Sequence, residues 1–107
     1  MIINLQAKNI DLTPALETHI NKKINPWARF LKKWDKEGAV TIDFEVARVT
    51  KHHHKGAVYY AEANIKIGGA MIRVEQMADN LYKAVDEVGD RAKLEIARFK
   101  EKQMKNQ

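Results

Sequence analysis

The spacing of apolar residues changes along this chain, and that change narrows the folds open to it more than any other feature. Leu16, Ile20, Ile24, Trp27, Leu31 and Trp34 recur at intervals of four, four, three, four and three. This is the stripe of a helix buried along one side. Thr13 is a good N-cap, and Pro14 at the first helical position has no needed N–H to lose. Pro26 sits inside the stripe. It deletes one helical hydrogen bond and disfavours helical geometry at Asn25, at a cost of ~3 kcal/mol in a regular helix. The pattern therefore predicts a kinked helix or two short ones, ended by Gly38.

Elsewhere the period is two, the spacing of a strand with one buried face. Ile3, Leu5 and Ala7 alternate with Asn4, Gln6 and Lys8 over residues 2–8. Val40, Ile42, Phe44 and Val46 alternate with Thr41, Asp43 and Glu45. Tyr59, Ala61, Ala63, Ile65 and Ile67 follow, then Gly68-Gly69 as a tight hairpin turn, then Ile72 and Val74. Asp79 is read as the cap of a last helix whose stripe is Leu81, Val85, Val88, Ala92, Ile96 and Phe99.

The order β-α-β-β-β-α predicts an α+β fold, a two-layer sandwich. A four-stranded mixed sheet carries both helices on one face. The first two strands pair in parallel through a right-handed crossover, and the rest are antiparallel. The 107 residues suit a single domain, 1–107, with the basic tail at about 103–107 as the segment expected to be least ordered. Apolar residues at 45% against 31% charged describe a folded chain rather than a disordered one. There is no cysteine, so neither a disulfide framework nor a thiolate site is open to it. The start resembles no signal peptide, and no apolar run approaches the ~20 residues that span a bilayer. A cytoplasmic protein with no membrane partner is the expectation.

The net charge of +5 matters through its placement. Residues 15–36 carry Lys22, Lys23, Arg29, Lys32, Lys33 and Lys36 against Glu17 and Asp35. Residues 91–107 carry Arg91, Lys93, Arg98, Lys100, Lys102 and Lys105 against Glu95 and Glu101. Unrolled at about 100° per residue, the last helix gathers Lys83, Arg91, Arg98, Lys102 and Lys105 into one stripe, with Lys93 and Lys100 on another flank. Lys22, Arg29, Lys33 and Lys36 share the outer side of the first helix. If the helices lie side by side, these faces merge into a rigid array of cations suited to phosphates. The plain alternative is that lysines and arginines merely solvate two exposed faces.

Aromatic residues add little to a stacking surface. Tyr59, Phe44 and Phe99 fall on core faces, Trp27 and Trp34 on the core or its rim, and Tyr60 and Tyr82 in more exposed positions. The outer sheet face offers Asp43, Glu45, Glu62, Asn64 and Glu75, which argues against RNA contact there. His52-His53-His54 reads as a weakly basic loop tip, because adjacent loop residues supply only part of a tetrahedral metal site. Neither a phosphate-binding glycine loop nor a nucleophile or metalloprotease signature is present, so no enzyme, metal or cofactor is expected.

The run Asp79-Asn80-Leu81-Tyr82-Lys83-Ala84-Val85-Asp86, followed by Asp90-Arg91, resembles the opening of the last helix in the ribosome hibernation-promoting factors. The Gly-Gly hairpin, Ile72-Arg73-Val74-Glu75, the start Asn9-Ile10-Asp11-Leu12-Thr13-Pro14-Ala15-Leu16 and Lys22-Lys23 fit the same family in order and spacing. The resemblance implies the fold above, similar to a double-stranded-RNA-binding domain. It implies binding to the small ribosomal subunit and its rRNA at the decoding region, blocking mRNA and tRNA. Carried over, the rRNA-binding residues are Lys22, Lys23, Arg29, Lys83, Arg91, Arg98, Lys100 and Lys102. Pro26 in the first helix, and Leu94 and Glu95 where relatives often carry Arg and Gln, depart from the pattern. The chain stops at Gln107, so a short form, monomeric off the ribosome, is expected. A general structured-RNA-binding module is the alternative.

Overall fold

The computed structural model describes residues 1–49 and 58–105. Its elements are β1 (Ile2–Lys8), α1 (Pro14–Leu31), β2 (Val40–Arg48), β3 (Tyr59–Ile67), β4 (Ala70–Ala78) and α2 (Leu81–Lys105). Short 3-10 turns at Lys32–Trp34 and Lys36–Gly38 join α1 to β2. The strands form one sheet in the order β1-β2-β3-β4. β1 pairs with β2 in parallel, while β2–β3 and β3–β4 are antiparallel, as the α+β reading requires.

Register decides what each sheet face carries. Leu5 lies opposite Phe44, Phe44 opposite Ala63 and Ala63 opposite Val74, giving an apolar row across all four strands. Val40, Ile42, Phe44 and Val46 of β2 are buried with Ala61, Ala63, Ile65 and Ile67 of β3. They form one cluster with Leu16, Ile20, Ile24, Trp27 and Leu31 of α1 and with Val85, Val88, Ala92 and Ile96 of α2. Both helices therefore cover the same face. The small Ala61 and Ala63 on β3 let α2 lie close to the sheet. Full burial of each aliphatic side chain contributes about 1.5–3 kcal/mol. Truncating Ile24, which has no exposed surface, would cost about 2–5 kcal/mol.

Two local expectations are corrected. Of the two outcomes expected at Pro26, two short helices are excluded: α1 runs as one α-helix from Pro14 to Leu31, and 3-10 turns carry the chain on to Gly38. Proline removes only the bond to the Lys22 carbonyl, on an exposed residue that water can satisfy. Burial of Trp27 and Leu31 beyond it holds the helix in phase. The cap of α2 is Asn80 rather than Asp79. Asn80 Oδ1 accepts from the Lys83 N–H at 3.1 Å, and its carbonyl accepts from Ala84 N–H at 3.0 Å. Asp and Asn cap about equally well, so the doublet leaves the starting residue open by one position. Thr13 caps α1 as expected, its Oγ1 accepting from Leu16 N–H at 3.2 Å. α2 is helical through Lys105, well into the tail.

Gly68 takes φ +58°, a left-handed conformation that suits glycine, and closes the two-residue turn between Ile67 and Ala70. The outer sheet face is polar. Gln6, Glu45, Glu62 and Glu75 stand in register across the four strands on the side away from the helices, where Lys8 pairs with Glu45, and Arg73 with Glu62 and Glu75.

Candidate nucleic-acid interface

The two helices run in the same direction, because the contacts between them advance together along both. His19 meets Tyr82 and Asp86, Lys23 meets Asp86 and Asp90, and Phe30 and Trp34 meet Lys100. Both basic C-terminal halves thus end on the same side of the molecule. Cations there also complement the negative ends of the two helix dipoles.

The N-terminal half of the seam between the helices is neutralised. His19 Nε2 lies 2.7 Å from Asp86 Oδ1, and the His19 ring packs edge-on against Tyr82 at 4.8 Å. Lys23 Nζ reaches Asp86 at 3.4 Å and Asp90 at 3.7 Å. Its alkyl chain crosses the seam over Gly89, whose carbonyl accepts from Trp27 Nε1–H at 3.3 Å. Lys23 is thereby half-buried and engaged in holding the helices together.

The C-terminal half is different. Arg29 and Lys93 line one hollow with Pro26 and Phe30. Lys93 and Lys100 border the next, with Phe30, Ala97, Glu101 and Met104. Lys100 Nζ lies 4.9 Å from the centre of the Phe30 ring and 5.8 Å from that of Trp34. Among the described residues, Lys22, Arg29, Lys93, Lys100 and Lys102 have no acidic partner within 4.0 Å. They keep their charge available for an external anion.

The sequence-derived residues thus separate into three settings. Lys22 and Arg29 lie exposed on α1, Arg29 beside the hollow it shares with Lys93. Lys100 lies on the seam itself. Arg91 lies on the opposite flank of α2, where its Nη1 donates to the Glu75 carbonyl at 2.7 Å and to Gln76 Oε1 at 2.9 Å. Arg98 and Lys102 follow Arg91 at helical spacing on that β4 side, Arg98 pairing with Glu95 at 2.7 Å. Lys83 sits at the far end of α2, paired with Asp79 at 3.7 Å.

The expected merger is accordingly corrected. The stripe of Lys83, Arg91, Arg98, Lys102 and Lys105 does not meet the basic face of α1; the Lys93–Lys100 flank does. Unrolling a helix fixes which residues share a face, but not which flank the neighbouring helix takes. The strand order sets that, by placing α2 over β3 and β4 with α1 to one side. Lys93 and Phe30 were not among the sequence-derived site residues. Pairing of Lys93 with Lys100 on one flank was the available signal for the first. Phe30 adjoins the buried Leu31, yet it is 42% exposed beside three cations.

The remaining aromatics fall broadly as expected. Trp27 is buried against Phe44, and Trp34 packs edge-on against Phe99 at the rim of the core. Tyr82 is exposed, whereas Tyr60 is half-buried and bonded to Glu62 and Glu75. The histidine run and its flanking Lys51 and Lys55 lie outside the described residues. Among the described residues no group of three or more potential metal ligands occurs, and no helix is long and apolar enough to cross a membrane.

A four-stranded sheet with both helices on one face, and a helix surface that carries cations unpaired among the described residues, define a class of protein: an α+β domain with one basic side. Residues 3–104 match the family described as sigma 54 modulation protein / S30EA ribosomal protein, and the chain belongs to that family. It is 24% identical over 102 residues to the ribosome hibernation promoting factor of Klebsiella oxytoca, covering 95% of this chain and 96% of that one. It is also 24% identical over 107 residues to the ribosome hibernation promotion factor of Picosynechococcus, and spans 50% of that relative's length. The Thermus thermophilus Protein Y N-terminal domain superposes with a TM-score of 0.70 at 23% identity, covering 92% of this chain and 99% of that one. That likeness supports the fold.

Proposed function

We propose that this protein is a ribosome hibernation factor, acting in the cytoplasm without catalysis. It binds the small ribosomal subunit at the decoding region and blocks mRNA and tRNA binding. The observation that carries this reading is the parallel helix pair, which sets Lys22, Arg29, Lys93, Lys100 and Lys102, unpaired among the described residues, on a rigid surface, while Lys8 and Arg73 of the outer sheet face are held by acids. Family membership points to the ribosome as the source of phosphates.

The mechanism is steric and electrostatic. Each cation that neutralises a phosphate releases counterions, so affinity falls steeply with salt. The outer sheet face, whose Lys8 and Arg73 are already paired with Glu45, Glu62 and Glu75, offers that backbone little attraction, so the helix side docks. Lys22, Arg29 and Lys100 contact phosphates from α1 and the seam, and Arg91, Arg98 and Lys102 from the β4 flank. Lys23, Lys83 and Arg98 make weaker contributions because acids already engage them.

Sedimentation with purified ribosomal subunits tests the reading. The protein is expected to travel with small subunits, to compete with mRNA and initiator tRNA, and to leave at high salt. Equal retention on unrelated folded RNAs would favour a general structured-RNA-binding module. Absence from small subunits at low salt overturns the proposal.

A further inference from the structure

The C-terminal half of the helix seam holds an apolar hollow on an otherwise charged surface. It measures about 350 Å³ and is lined by Phe30, Lys93, Ala97, Lys100, Glu101 and Met104. A second hollow adjoins it across Phe30 and Lys93, bounded by Pro26 and Arg29. Phe30 is 42% exposed and Met104 63% exposed, and neither belongs to the core cluster. The floor is therefore carbon, while Arg29, Lys93 and Lys100 stand around it against a single acid, Glu101.

This combination restricts the occupant. An apolar peptide would gain nothing from three cations at the rim. A phosphate alone would gain nothing from Phe30 and Met104. A nucleotide joins a flat ring with a π face to an anion, and aromatic side chains beside basic ones are the recurring way to hold an unstacked base. Lys100 rests over the Phe30 ring as a cation–π pair. A phosphate can draw its flexible ammonium away, and the ring face then becomes available to a base.

We propose that this hollow holds one unpaired base of the bound RNA, stacked on Phe30, with Arg29, Lys93 and Lys100 on the phosphates either side. The inference rests on the RNA-binding reading above and adds a base contact to its phosphate contacts. Seating the base orders one single-stranded nucleotide against α1 and α2. The domain then prefers RNA with an unstacked residue over a continuous duplex.

Two fluorescent oligomers of equal length and charge provide the test, a short oligouridylate and its abasic counterpart, titrated by anisotropy at low salt. The wild-type protein is expected to bind the oligouridylate about tenfold more tightly. Phe30→Ala removes that preference while leaving the abasic affinity and its salt dependence unchanged. Phe30→Leu keeps an apolar side chain without a ring and also loses the preference. Unchanged melting temperatures show that both variants fold. Equal affinity for the two oligomers, binding of neither, or an undiminished preference in both Phe30 variants overturns the proposal. Sedimentation with small subunits separates this outcome from the ribosome reading. Phe30→Ala that still binds subunits with full affinity sinks the base pocket alone, whereas a wild-type base preference without subunit binding sinks the ribosome assignment alone.

Discussion

Gly89 and Lys23 share one space at the crossing of the two helices. A Cβ on Gly89 would lie 2.8 Å from Lys23 Cδ and 3.1 Å from its Cγ, so the lysine stem occupies the volume that any other residue at 89 would need. Glycine in a helix interior costs about 1 kcal/mol relative to alanine, and close packing of the seam offsets that cost. Gly89→Val adds branched bulk against Lys23 and should destabilise by about 1–3 kcal/mol in urea unfolding. Combining Gly89→Ala with Lys23→Ala should be milder than the sum of the single changes, because the second removes what the first strikes. Strict additivity in that cycle would contradict the packing described.

Tyr60 and Glu62 give the outer sheet face a pH signature. The Tyr60 hydroxyl donates to the Glu62 carboxylate, which also accepts from Asn64 Nδ2 and from Arg73 Nη2 at 3.0 Å. The Tyr60 hydrogen bond, opposed by burial and aided by Asn64 and Arg73, holds the Glu62 carboxyl below its usual range. A depressed folded value contributes stability above the unfolded value of about 4.3, and loses it as pH falls through the folded one. Glu62→Gln should therefore cost about 1–2 kcal/mol near neutral pH, with the gap closing as pH falls below the ordinary carboxylate range. A gap independent of pH would contradict this.

Burial, and then the bonds to Glu62 and Glu75, push the Tyr60 hydroxyl up from its ordinary value. A raised folded value contributes stability below about pH 10 and loses it as pH climbs through the folded one. Tyr60→Phe should accordingly flatten the alkaline limb of the stability curve.

Pro26 leaves α1 one hydrogen bond short without ending it. Pro26→Ala restores the donor to the Lys22 carbonyl and should raise stability, by up to about 3 kcal/mol. A lower unfolding midpoint for the variant would mean that the proline relieves a strain not visible in the helix.

Sheet, helices and their order were legible because each element carries one strong apolar period, and the residues at those periods, such as Phe44, Ile24 and Val88, are the ones buried. What escaped were facts that depend on two elements at once. Asn80 rather than Asp79 starts α2 because one residue's phase decides it. Arg91 turns to β4 and Lys93 to α1 because the sheet edge lies under one flank only. Gly89 reads from sequence as a weak helix residue, and its purpose appears only when Lys23 is seen lying across it. Phe30 lies off the stripe of Ile20, Ile24, Trp27 and Leu31, and its place beside Lys93 and Lys100 shows only once α2 is packed against α1.

Charge placement, not net charge, is the centre of the account, and two triple variants test it most directly. Arg29→Gln, Lys93→Gln, Lys100→Gln removes three charges from the helix seam. Lys8→Gln, Lys66→Gln, Arg73→Gln removes three from the sheet side of the molecule. Affinity for purified small subunits is measured for each by sedimentation across a range of salt. The seam variant is expected to lose about a hundredfold or more and to show a salt slope shallower by about two to three. The sheet variant is expected to stay within about threefold of wild type, since its charges face away from the bound phosphates. Equal losses from the two variants would mean diffuse attraction to a basic protein, and would contradict docking through the helix pair.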